Sequence, residues 1–138
     1  MRVVFDTNVY ISAFVIPGSL SDDAYRRARD GDVDLFTSVA ILTELASKLG
    51  EKFEWSDDRI RAALKTISRT AEVVKTRPHL AVVRDAADNR ILECAELVDP
   101  DLIVTGDPHL LKLRRFGRAG MVKVSTFLRI LGNGGARG

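Results

Sequence analysis

The sequence contains one cysteine, Cys94, and two histidines, His79 and His109, among its 138 residues. A lone cysteine cannot close a disulfide within the chain, which excludes the disulfide-stapled class of small secreted domain and favours a reducing, cytoplasmic setting. Cys94 falls on the apolar face of a predicted helix, where a buried thiol is expected. We expect both histidine side chains to lie in solvent rather than to bind a metal.

Long hydrophobic runs and a strong excess of one charge are also missing. The opening apolar run, residues 3–5, is much shorter than the core of a signal peptide, and no stretch approaches the roughly 20 apolar residues of a membrane helix. We therefore expect a soluble, unprocessed protein with no membrane contact. Twenty-one basic residues against 19 acidic ones give a net charge of +2, which permits a nucleic-acid partner without indicating one.

A hydrophobic content of 46% and a charged content of 29% are typical of a chain that folds around one core. Short apolar runs alternate with amphipathic segments, a pattern typical of a mostly parallel sheet covered by helices on both faces. We predict a three-layer α/β/α domain over residues 1–131 with about five strands, followed by a flexible glycine-rich tail over 132–138. The predicted strands cover residues 3–5, 33–36, 73–74, 102–104 and 121–124.

Three aspartates are predicted at one edge of this sheet. Asp6 directly follows the first strand, Asp107 follows the fourth, and Asp88 begins the helix that leads into the fourth. Ligands of parallel sheets bind outside the carboxyl ends of the strands, so these carboxylates are candidates for a functional site. Glu44 lies beside the apolar stripe of its own helix, where a modest tilt would aim it at the same edge.

Each of these acids also has a structural interpretation. Asp107 precedes a proline, as expected of a helix N-cap followed by proline in the first turn, and Asp88 can interact with the positive end of a helix dipole. Glu44 can pair with the lysine four residues later. Asp6 is harder to explain in this way, because Asn8 is available to cap the segment that follows the strand.

Four carboxylates at one edge would repel one another and raise one another's pKa values unless a cation lies among them. Oxygen ligands without histidine or cysteine suit Mg²⁺ or Mn²⁺ better than zinc, and Mg²⁺ needs few protein ligands because it keeps several waters. Such ions commonly assist phosphoryl chemistry. The residues therefore predict a divalent-cation site at this edge of the sheet.

The acids lie in four segments of recognisable form. These segments are residues 3–9, 41–45, 85–92 and 104–111, which read VVFDTNV, ILTEL, DAADNRIL and VTGDPHLL. In this order and spacing they resemble PIN-domain ribonucleases, particularly the bacterial and archaeal toxins of the VapC type, and the resemblance spans about residues 2–130. Ala86 stands where many relatives have proline, a change that leaves the acids intact.

The resemblance implies an acidic quartet that holds Mg²⁺ or Mn²⁺: Asp6, Glu44, Asp88 and Asp107. It implies that Asn8 orients Asp6 or a water molecule, and that Asp85 supports the metal ligands from behind. The implied activity is a metal-dependent endoribonuclease that cleaves single-stranded RNA by attack of water and leaves a 5′-phosphate. A homodimer and a cognate antitoxin, which would restrain the protein as a toxin, are implied as well.

Two other functions stay open from the residues. A phosphotransferase could use Asp6 as a covalent nucleophile, although its usual signature has a second aspartate where this chain has Asn8. A non-catalytic RNA-binding or assembly module would use the acids only as caps and surface pairs. A basic run follows the last segment: Lys112, Arg114, Arg115 and Arg118. It fits either a solvated face or an electrostatic grip on an RNA backbone.

Overall fold

The computed structural model describes residues 1–132, which form seven helices around a six-stranded sheet. The strands are β1 (Arg2–Phe5), β2 (Asp34–Ser38), β3 (Glu72–Val74), β4 (Leu102–Val104), β5 (Arg115–Phe116) and β6 (Ala119–Val122). The helices are α1 (Thr7–Val15), α2 (Leu20–Arg29), α3 (Val39–Phe53), α4 (Asp57–Thr70), α5 (Ala86–Val98), α6 (Pro108–Leu113) and α7 (Val124–Leu131). Residues 133–138 of the predicted glycine-rich tail lie outside the described residues.

The sheet has the strand order β3-β2-β1-β4-β6-β5, and every neighbouring pair is parallel except β5 with β6. Val4, in the central strand β1, lies opposite Phe36 on one side and Ile103 on the other. All three are buried, which explains why the strand reads as a continuous apolar run rather than an alternating one. The predicted three-layer α/β/α class is confirmed.

The sheet contains one strand beyond the five predicted. Strand β5 is two residues long and pairs with β6 through a tight hairpin, in which Gly117 has a φ of +60°. Glycine adopts this left-handed conformation without a steric penalty. A strand of two residues carries no periodic pattern, so the hydrophobicity of the sequence could not reveal it.

Aromatic contacts hold α1 and α7 against the central strand. The ring of Phe5 lies 5.6 Å from that of Tyr10 in α1 and 5.7 Å from that of Phe127 in α7. All three side chains are fully buried, and tilted or edge-on rings at this spacing attract one another beyond their area burial. The start of α1, directly after β1, is therefore set rigidly against the sheet.

The direction in which successive strands are added to the sheet reverses at β1. The chain moves from β1 to β2 and β3 on one side, then returns to place β4 and β6 on the other side. In open α/β sheets the crevice at such a reversal, outside the carboxyl ends of the strands, is where ligands bind. The ends of β1 and β4 therefore mark the expected position of a site. No helix within residues 1–132 combines the length and apolar character needed to cross a bilayer.

Candidate functional site

Asp6 lies at the carboxyl end of β1 and is buried, with 3% of its surface exposed. It is the N-cap of α1, and one carboxylate oxygen accepts the Asn8 backbone N–H at 3.2 Å. The other oxygen accepts the Thr105 hydroxyl at 2.6 Å. Asp6 therefore caps α1 itself, although Asn8 was available for that role, and the contact that Asn8 makes with the Asp6 carboxylate is through its backbone N–H.

Burial raises the pKa of Asp6, and the nearby charge of Asp107 raises it further. The hydrogen bonds from Thr105 and Asn8 and the positive charge of Lys48 lower this pKa, but the net direction is upward. Two good hydrogen bonds thus fail to compensate for the loss of water around the ionised carboxylate. A further cation beside Asp6 would stabilise its charged form.

Thr105 links the ends of the two strands that flank the reversal. It is fully buried, and its hydroxyl both donates to Asp6 and accepts the Asp107 backbone N–H at 3.0 Å. A threonine between an apolar strand and a helix cap is visible in the sequence, but its neutral side chain is not part of the charge pattern that indicates the acids. Thr105 fixes the relative position of two candidate ligands.

Asp107 caps α6 as its sequence position predicts. One of its oxygens accepts the His109 N–H at 2.7 Å and the Leu110 N–H at 3.4 Å, and Pro108 occupies the first helical turn. His109 itself is exposed, as expected. Capping α6 is not the whole role of this carboxylate, because Asp107 also lies within hydrogen-bonding range of Asp88.

Asp88 is the most perturbed acid of the cluster. It sits in the first turn of α5 with 6% of its surface exposed, and its Oδ2 atom is buried without a hydrogen-bond partner in the described part of the chain. Burial raises the pKa of Asp88 to about 7, and contact with Asp107 and the charges of Asp6 and Asp85 contribute. The fold therefore brings Asp6, Asp88 and Asp107 together although they are far apart in the sequence.

Asn89 holds the segment that leads into α5. Its side-chain oxygen accepts the backbone N–H groups of Val82 at 2.9 Å and Val83 at 3.0 Å. Its side-chain nitrogen donates to the carbonyls of Val83 at 2.8 Å and Asp85 at 3.2 Å. Asp85 in turn caps α5 by accepting an N–H in the first turn. This network sets where α5 begins and hence where Asp88 points.

Glu93, one turn further along α5, makes a second clamp on the same segment. Its buried carboxylate accepts the backbone N–H groups of His79 at 2.6 Å and Leu80 at 2.8 Å, and it pairs with Arg90 at 2.7 Å. The His79 ring nitrogen Nε2 lies 2.7 Å from Glu96. His79 is exposed in the loop between β3 and α5, as predicted, and its ring and its backbone N–H both make contacts with α5.

Glu44 approaches the cluster through a lysine. Its carboxylate lies 3.7 Å from the Lys48 ammonium one turn later in α3, and that ammonium lies 3.5 Å from the Asn8 side-chain oxygen. The structural interpretation of Glu44 as an ion-pair partner is confirmed. Its role as a metal ligand stays a prediction. Lys48 supplies positive charge near Asp6. The sequence did not reveal this proximity, because Lys48 and Asp6 lie in different segments of the chain.

The donor chemistry of the cluster fits a hard divalent ion. Three carboxylates converge without a histidine or cysteine among them, and a buried Asp88 oxygen lacks any partner. Within residues 1–132 no group of three or more His, Cys, Asp or Glu side chains is spaced so that it could hold a metal ion by itself. Mg²⁺ tolerates such an open arrangement, since it keeps several waters and binds proteins through one or two carboxylates. Mg²⁺ or Mn²⁺ therefore suits these residues better than zinc.

The remaining predicted residues are Cys94 and the four members of the basic run. Cys94 is fully buried, as expected. Arg118 is half-exposed and forms ion pairs with Asp99 at 3.2 Å and Asp101 at 3.3 Å, so its charge is shared with these two carboxylates. The other members of the basic run, Lys112, Arg114 and Arg115, are exposed and pair with none of the described carboxylates.

A family model described as the PIN domain matches residues 2–109. The chain belongs to the PIN-domain family. The matched region contains all of the acids discussed above, and the resemblance seen in the four sequence segments is confirmed. The match ends at His109, before the basic run.

One similar sequence and one similar solved structure extend the comparison. An uncharacterized protein of Methanocaldococcus jannaschii, MJ1680, is 29% identical over 118 residues, which cover 83% of this chain and 76% of the relative. A chain in the crystal structure of VapBC2 from Rickettsia felis, bound to a DNA fragment from their promoter, superposes with a TM-score of 0.61. It is 14% identical, and the match covers 89% of this chain and 98% of that one. The structural match supports the PIN-like fold of this chain.

Proposed function

We propose that this PIN-domain protein is a Mg²⁺- or Mn²⁺-dependent endoribonuclease that cleaves single-stranded RNA. The observation that carries the proposal is the pair of Asp88 and Asp107, two carboxyls in contact at the strand reversal, one with a buried oxygen that has no partner. A stable protein retains such a costly arrangement where ligand binding compensates for it. Membership of the PIN-domain family supports nuclease activity in general.

Each carboxylate has a distinct part in this proposal. Asp6 is preorganised by Thr105 and by the start of α1, so its ionised oxygens need not reorient when an ion binds. Asp88 and Asp107 supply the remaining negative charge. When bound, the ion would supply Lewis-acid activation of the phosphodiester and of the attacking water.

Asp85, Asn89 and Thr105 would act as positioning residues. They hold the backbone on which the ligands are mounted, through the hydrogen bonds that start α5 and join β4 to Asp6. Groups behind metal ligands commonly contribute 10–100-fold to metal affinity or activity. We propose Glu44 as the fourth ligand, approaching from α3 beside Lys48.

The decisive experiment is cleavage of labelled single-stranded RNA with Mn²⁺ or with EDTA. Wild type is compared with Asp88→Asn and with the matched surface variant Glu51→Gln, whose side chain is exposed on α3. We expect metal-dependent cleavage by wild type and Glu51→Gln, and a loss of about 100-fold or more in Asp88→Asn because a ligand is neutralised. Equal cleavage by all three proteins, or cleavage in EDTA, would remove the acids from the mechanism. RNA binding without cleavage under any ion would indicate a binding module.

We further propose that the protein acts in the cytoplasm as the toxin of a toxin–antitoxin pair, as a homodimer. The fold similarity to a chain in the VapBC2 structure supports this assignment. Expression in a heterologous host should arrest growth, and co-expression of the cognate antitoxin should relieve the arrest. Light scattering of the purified protein measures the oligomeric state. Unimpaired growth at high expression of active enzyme would indicate a housekeeping nuclease.

A further inference from the structure

A groove of opposite charge opens beside the acidic cluster. Its volume is about 520 Å³, and its walls are Gly106, Pro108, Leu111, Lys112, Arg114 and Lys123. Three cationic side chains and no carboxylate line it. Three other cavities in the described surface each mix basic with acidic residues. The composition of this basic groove is that of a site for an anion.

The cations of the basic groove are free to interact with a ligand. Lys112, Arg114 and Lys123 are exposed, and no carboxylate within residues 1–132 pairs with any of them. Arg118, by contrast, forms ion pairs with two aspartates, Asp99 and Asp101. An unpaired guanidinium keeps its full capacity to bind phosphate, with paired N–H donors in fork geometry.

The backbone presents Arg114 in an unusual way. It ends α6 with a φ of +60°, held by its own N–H to the Leu111 carbonyl at 3.1 Å and by the Met121 N–H to its carbonyl at 2.9 Å. Glycine is the residue least strained in this region. An arginine is found there instead, and its side chain lines the basic groove.

The basic groove adjoins the proposed catalytic acids along the carboxyl edge of the sheet. Gly106 and Pro108, which line it, are the two chain neighbours of Asp107. Lys123 directly follows β6, and β4 alone separates β6 from β1, which Asp6 follows. Two interstrand steps correspond to about 10 Å between the axes of β1 and β6. Negative charge therefore gives way to positive charge within a short distance on one edge.

We propose that the basic groove binds a backbone phosphate of the RNA next to the phosphodiester that reacts at the acids. This inference rests on the proposed ribonuclease function and adds the surface that holds its substrate. The clustered carboxylates repel an RNA backbone, so the strand needs a compensating cationic contact close to them. Lys112, Arg114 and Lys123 provide this contact, and phosphate contacts position a strand without selecting its sequence.

The test is RNA binding by a protein that cannot cleave. In an Asp88→Asn background with EDTA, anisotropy of a labelled oligouridylate compares a groove variant with a matched control. The groove variant combines Lys112→Gln, Arg114→Gln and Lys123→Gln. The control combines Lys52→Gln, Lys65→Gln and Arg69→Gln, which remove the same charges from exposed positions elsewhere. Thermal unfolding of both proteins checks that they are folded.

We expect the groove variant to bind about tenfold or more weakly at about 50 mM salt, with the slope of log K against log salt reduced by about 1–2. The control should change binding by less than about threefold. Equal effects of the two variants would overturn the proposal. It would also be overturned if the groove variant lost binding to poly-glutamate but kept its RNA binding, because the groove would then be assigned to an acidic protein segment. Cleavage by wild type is scored separately, so an active enzyme with an inert groove refutes this inference alone.

Discussion

Replacing Asp88 by asparagine should stabilise the protein when no metal is present. Asp88 is buried against Asp107 and has an oxygen without a partner, so its negative charge is a net cost to the folded state. Asparagine has nearly the same shape, and its amide group can donate a hydrogen bond to a neighbouring carboxylate. The substitution therefore removes the repulsion and keeps the packing.

The magnitude follows from the pKa of Asp88, which burial first and then Asp107 raise from 3.8 to about 7. A shift of this size corresponds to about 4 kcal/mol of cost for the ionised carboxyl. Because Asp88 and Asp107 share this cost, we expect Asp88→Asn to gain about 2–4 kcal/mol. A raised carboxyl pKa means that the folded state binds protons more tightly, so wild-type stability falls as the pH rises from 3.8 to 7. The gain should be complete above pH 7 and vanish near pH 4.

The assay is urea unfolding in EDTA at pH 8 and at pH 4, with thermal unfolding in parallel. At about 3 °C per kcal/mol for a chain of this size, the expected rise in Tm at pH 8 is about 6–12 °C. Asp58→Asn is the control, since the Asp58 side chain is 94% exposed and the same change there should be nearly neutral. Saturating Mn²⁺ should raise the Tm of wild type more than that of Asp88→Asn, because the ion binds only the folded acids.

Two results would refute this reasoning. The first is a metal-free Asp88→Asn protein that is no more stable than wild type at pH 8. The second is a stability difference that grows as the pH falls, since protonation of Asp88 should abolish it.

Three further predictions concern the supports of the site. Glu93→Ala should cost about 3–5 kcal/mol, measured by urea unfolding, because it removes a buried carboxylate and leaves Arg90 and the backbone N–H groups of His79 and Leu80 without their partner; a loss below 1 kcal/mol would contradict the clamp. Burial raises the Glu93 pKa, but bonds from Leu80, His79 and Arg90 lower it overall, so this contribution should be lost only below about pH 4.5. Thr105→Val should weaken Mn²⁺ binding about 10–100-fold by calorimetry. An unchanged affinity would contradict the positioning role of Thr105. Phe127→Ala should cost about 3–5 kcal/mol, whereas Phe53→Ala, at a position 41% exposed, should cost far less.

Local chemistry determined the elements of this protein and the types of residue at the site. Apolar runs of strand length between helical segments predicted a parallel sheet, because only strands buried on both faces read in this way. Caps such as Ser38 and Asp107 were predictable, since a cap acts on backbone within three residues of itself. Acids that follow strands could be selected as candidates because ligands of parallel sheets bind outside the carboxyl ends of the strands.

Which of those candidates meet was decided by the tertiary structure. Thr105 bonds to Asp6 across 99 residues of chain, and Lys48 reaches Asn8 across 40. Such contacts depend on strand order and on the angle at which a helix packs, and neither leaves a mark in the local sequence pattern. The sequence therefore supplied the carboxylates and cations, while the packing of helices and strands decided that Asp88 lies beside Asp107 and that Lys123 shares a groove with Arg114.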